Sequence, residues 1–282
     1  MRRPCLTSLV LLGLAACVAR EEEPVTAERQ GSVAGASESS TNYMPVAAQL
    51  ATRNLGVKPG ELVLVAGTAD QMRLLEDIAV QVRKAGGWPV ITVGSERLTR
   101  LLFDSVPVER DADRPEADLA LAKTFPAMIA LEGSQSDTTL RHVAPARFEA
   151  RAKAGRPVAA QIVRLNRRIV FLGNGMFPTE ENAREQGMSR EELERQFWDG
   201  VSVDPQAMAA AGQAVKAALR TGKSVRITSP AGTDLTLALA GNEPYFSDGA
   251  ITDQDAKSGP QGQTVWLPAG EVYVRVAPGS AN

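Results

Sequence analysis

The chain has 282 residues, 44% of them hydrophobic and 23% charged, with a formal charge of −2 at pH 7. That length gives room for one large or two ordinary domains with a real core. The near-neutral charge, the 5% aromatic content and the lack of a basic aromatic stripe exclude nucleic-acid binding.

The first seventeen residues read as a secretory signal. Arg2 and Arg3 form a basic start, Leu6 to Leu14 a short apolar stretch, and Ala15 and Ala16 precede Cys17. A membrane span needs about 20 apolar residues, more than this run supplies. Leu14-Ala15-Ala16-Cys17 resembles the lipobox of bacterial lipoproteins, which implies that Cys17 is lipidated and becomes the mature N-terminus; the competing reading is ordinary signal cleavage with Cys17 incidental, giving a soluble secreted product. The expected location is the bacterial cell envelope, with the membrane as a partner through the lipid. Cys5 lies in the removed segment, so no disulfide framework and no cysteine metal site is expected. Residues 18–43 are rich in Glu, Ser, Gly and Ala without periodicity and read as a tether, its ends on the order of 30 Å apart. Glu21-Glu22-Glu23 belongs to it as a solvated run.

Folded sequence is expected from Met44. Leu62 to Val65 is a continuous apolar run between Pro59-Gly60 and Gly67, the pattern of a strand buried on both faces. Met72, Leu75, Ile78, Ala79 and Val82 recur at helical spacing, Gly86-Gly87 stops the helix, and Val90 to Val93 gives the next strand. Further strands are predicted at Ala127 to Leu131 and Arg168 to Leu172, with a helix around Ala144 to Ala154 between them. The fold class is therefore α/β, with a largely parallel sheet and flanking helices over 44–203. Dinucleotide binding is not supported: Ala66-Gly67-Thr68-Ala69-Asp70 lacks the spaced glycines that a pyrophosphate requires. Gly173-Asn174-Gly175 reads as a turn, and Gly133 to Asp137 as a strand-to-helix loop.

Beyond this point the pattern changes. Ser189 opens a charged helix, and Asp204 as N-cap with Pro205 at the first helical position opens another that stops at Thr221-Gly222. Ser224 to Ile227 and Leu235 to Leu239 flank a Pro-Ala-Gly-Thr-Asp turn as a hairpin, Asp248-Gly249 marks another turn, and Val272 to Val276 is a last strand. Residues 204–282 are expected to begin a second, α+β domain.

The succession Met188-Ser189, Asp204, Val225 to Thr228, Gly232-Thr233-Asp234-Leu235, Asp248-Gly249 and Leu267-Pro268-Ala269-Gly270-Glu271-Val272 resembles the dinuclear metallo-aminopeptidases of the aminopeptidase T and aminopeptidase S type. The resemblance runs from Met44 to the end and is strongest after Asp204. It implies an α/β domain followed by a domain holding two divalent metal ions, zinc or cobalt. These ions activate a water against the first peptide bond of substrates with a free N-terminus. It also makes Glu271 a metal ligand. A carboxylate suits such ions, and a strand after a tight turn holds it with little freedom. From local sequence alone Glu271 reads as an ordinary strand residue.

The other ligands of that family lie downstream of this motif, while this chain ends at Asn282 and its one histidine, His142, is upstream and reads as a surface residue. Asp234 and Asp248 sit in turns where Asp is structurally expected. The expectation is an incomplete metal-site domain over 204–282, metal not stably bound by this chain, and no assignable catalytic residue. The alternative is a non-catalytic lipoprotein that keeps the α/β domain as a binding or scaffolding module. Whether the chain forms a homodimer is left open by the sequence.

Overall fold

The computed structural model describes residues 42–133, 140, 142–241 and 243–279. The signal, Cys17, nearly all of the tether and residues 134–137 of the Gly133 to Asp137 loop lie outside them. Helix α1 (Met44–Gln49) starts with Pro45 in its first turn and runs into a π-helical turn at Leu50–Asn54. Strand β1 (Leu62–Thr68), helix α2 (Met72–Lys84) and strand β2 (Trp88–Gly94) form the expected βαβ unit, with β1 and β2 parallel and Leu62 opposite Trp88. Helix α3 (Glu96–Ser105) follows, its N-cap Ser95 accepting from Leu98 N at 3.1 Å. Helix α4 (Glu116–Thr124) leads to strand β3 (Ala127–Leu131), all five of whose residues are buried.

Helix α5 (Pro145–Arg164) continues ten residues past the expected end at Ala154. Gly155 and Pro157 read locally as a helix stop. The helix carries through them because Val158 and Ile162 pack on Leu119 and Ala122 of α4, which outweighs the local preference. Strand β4 (Arg168–Leu172) is followed by the short helix α6 (Glu180–Gln186), closed by left-handed Gly187, and by α7 (Arg190–Val201), capped by Ser189 as expected. Helix α8 (Pro205–Thr221) has Asp204 as its N-cap, accepting from Gln206 N and Ala207 N.

Strands β5 (Ser224–Thr228) and β6 (Asp234–Ala238) form the expected hairpin, with Val225 opposite Leu237. Next come β7 (Tyr245–Ser247), the short helices α9 (Asp253–Lys257) and α10 (Pro260–Gln263), then β8 (Thr264–Leu267) and β9 (Glu271–Tyr273). β9 pairs antiparallel with β7, and Gly212 of α8 lies so close to Phe246 that an added Cβ would fall 2.1 Å from the ring. The parallel sheet has five strands in the order β2-β1-β3-β4-β8. Its fifth strand thus comes from the segment expected to open a second domain.

Alternation along the strands divides the core. Val63, Val65, Ile129, Val170, Leu172, Val265 and Leu267 face α1, α2, α7 and α9, while Leu64, Met128 and Ile169 face α4 and α5. The result is an α/β/α sandwich. The Asp248-Gly249 turn is sewn to the π-helical turn: Asn54 Nδ2 donates to Gly249 O at 2.5 Å, and Ile251 N to Asn54 O at 2.9 Å.

Two buried ionic groups brace these layers. Arg168, 6% exposed, donates to Leu55 O at 2.6 Å and Gly56 O at 2.9 Å and pairs with Glu61. Asp111, 4% exposed, receives Arg147 and, at 2.6 Å, Arg151, whose guanidinium lies 3.7 Å above the Phe103 ring. These contacts tie the segment after α3 to α5. Removing one member of such a pair leaves the other charge buried.

Arg168→Met should therefore destabilise the fold by about 3–5 kcal/mol, read as a fall in Tm, and adding Glu61→Gln should recover part of that loss. The hydrogen bond from Arg147 holds the Asp111 carboxyl below the usual carboxylate range, against the opposing effect of burial. Its folded-state affinity for protons is thus lower than in the unfolded chain. The stability it contributes is complete above the unfolded value of about 3.9 and is lost as pH falls through the folded one. Denaturant melts between pH 5 and pH 2 should show a steeper acid loss for the wild type than for Asp111→Asn, which starts less stable at pH 7.

Candidate functional site

In a parallel sheet all strands leave by the same end, and the loops there are where α/β folds assemble ligand sites. At this end lie the turn after β1, Glu132 after β3, Gly173-Asn174-Gly175 after β4, and Pro268 to Gly270 after β8. The crevice between β1 and β3 is closed by Gln71. Its Oε1 accepts from Thr68 N at 3.0 Å and its Nε2 donates to Glu132 O at 2.7 Å. Gln71 is buried in that position.

The turn after β4 is the centre of the site. Gly173 N continues the β4–β8 ladder by donating to Leu267 O at 2.9 Å. Gly173 has φ +147°, and a Cβ there would fall 2.5 Å from Glu132 Cβ, so only glycine lets the two chains approach. Glu132 Oε2 accepts from Gly175 N at 2.6 Å. Asn174, left-handed at φ +49°, reaches toward the other side, its Nδ2 3.4 Å from Glu271 Oε1.

Glu271 opens β9 directly after Gly270, opposite Ser247 of β7. Its Oε2 accepts from Tyr273 OH at 2.6 Å. Burial, reinforced by that hydrogen bond and by the Glu271 charge, raises the Tyr273 phenol above its ordinary range, so it remains a neutral donor. Tyr245, ring centroid 6.0 Å from that of Tyr273, is raised chiefly by burial and also by Asp255. The Glu271 side chain is therefore half-buried and oriented by Tyr273 OH and Asn174 Nδ2.

The other sequence candidates go elsewhere. His142 is exposed, its Nε2 2.7 Å from Asp104 Oδ1. Asp234 pairs with Arg226 through two 2.8 Å contacts across the hairpin, and Asp248 Oδ1 accepts from Ala250 N at 3.0 Å within its own turn. Among the described residues no three His, Cys, Asp or Glu side chains converge. A divalent ion takes about four ligands, so these residues alone do not fit a metal site. Sequence reading missed Glu132, Asn174 and Tyr273. Tyr273 stands two residues from Glu271 on the same strand face and was within reach of a periodicity argument, whereas Asn174 is brought in only by the β4–β8 pairing.

No curated protein matches the chain. Among solved structures, wild-type AmpT from Thermus thermophilus aligns with a TM-score of 0.63 at 19% identity, over 85% of this chain and 62% of that one. A 2,5-dihydroxypyridine dioxygenase from Pseudomonas putida KT2440 aligns at 0.38 and 14% identity, over 85% and 56%. The chain spans about three fifths of the length of each. The AmpT likeness is one of fold. The thermophilic metalloprotease (M29) family matches residues 40–281, nearly the whole sequence, and this chain belongs to that family.

Proposed function

We infer that this chain is part of a divalent-metal aminopeptidase, removing N-terminal residues from peptides with a free N-terminus, with Glu271 as one ligand of zinc or cobalt. Family membership supports the hydrolase class. The observation that carries the residue assignment is the placement of Glu271 at the carboxyl end of the sheet, oriented by Tyr273 and Asn174. Because the described residues supply no further converging ligands, the reading assigns the rest of the set to polypeptide outside them.

The surface beside the site supports more polypeptide packing there. Val225, Ile227, Leu235 and Leu237 share one face of the β5–β6 hairpin by register, and Ile227 is 45% exposed, as are Val274 at 38% and Val276 at 44%. A two-stranded hairpin is marginal without a layer on its apolar face. The second reading, a non-catalytic scaffolding lipoprotein, draws on the sandwich core, which is closed without the hairpin. In either case the Leu14 to Cys17 pattern supports a lipid anchor in the cell envelope.

Hydrolysis of aminoacyl anilides with added zinc or cobalt, measured on the product of the complete reading frame, separates the two. The aminopeptidase reading predicts metal-dependent turnover that Glu271→Gln lowers by roughly 100-fold or more with little change in Tm. Turnover indifferent to Glu271→Gln would overturn the ligand assignment, and no turnover at all would favour the scaffold. For the anchor, the protein expressed in a bacterial host should fractionate with the envelope in detergent, and Cys17→Ser should shift it to the soluble fraction. Wild type already in the soluble periplasmic fraction would contradict the lipid anchor.

A further inference from the structure

We draw no further inference here: the strongest candidate, the outer edge of the parallel sheet along β2, where Trp88, Val90 and Val93 are exposed on a strand without charged residues, is an unpartnered apolar face, and nothing in the structure shows what covers it.

Discussion

The pairing of β8 with β4 is the constraint on which the site depends. Ile169 faces Thr264 and Leu172 faces Leu267 in parallel register, with Phe171 and Trp266 stacked at 4.3 Å, and Gly173 N extends the ladder to Leu267 O. Since parallel strands exit together, this register delivers the segment after β8 to the turn after β4. Glu271, 97 residues from Asn174 in sequence, lands beside it. Without β8, the edge of β4 would be an open row of backbone donors and acceptors and the Phe171 ring would lose its stacking partner.

That pairing also explains the route of the intervening chain. Helix α8 and the β5–β6 hairpin leave the sandwich, β7 returns to receive β9, and the Asp248-Gly249 turn is fixed to Asn54 and Arg53 at the start of the fold. The close approach of Gly212 to Phe246 holds α8 against this returning strand.

What could be read from the sequence follows the range of the interactions involved. β3 and β4 are buried on both faces, so their apolar runs mark them to the residue, and the cap at Asp204-Pro205 fixes the start of α8 through contacts within three residues. β8 was not legible. Thr264-Val265-Trp266-Leu267 is four residues between a short polar helix and a proline, and only its long-range partner makes it a strand. The reach of α5 through Gly155 and Pro157 is likewise a tertiary effect, set by α4. At the candidate site, Glu271 is singled out in sequence by the Leu-Pro-Ala-Gly-Glu-Val motif, while Glu132 and Asn174 stay hidden because sheet order, not spacing, gathers them.

The central claim is that Glu271 is a metal ligand at the carboxyl end of the sheet, its geometry set by Tyr273 and Asn174. Anomalous diffraction at the zinc edge from crystals of the complete reading-frame product tests it most directly. The account predicts a metal peak about 2.0–2.2 Å from a Glu271 carboxylate oxygen, with Tyr273 OH still bonded to that carboxylate. A fully coordinated zinc that leaves Glu271 bonded only to Tyr273 and Asn174 would contradict it.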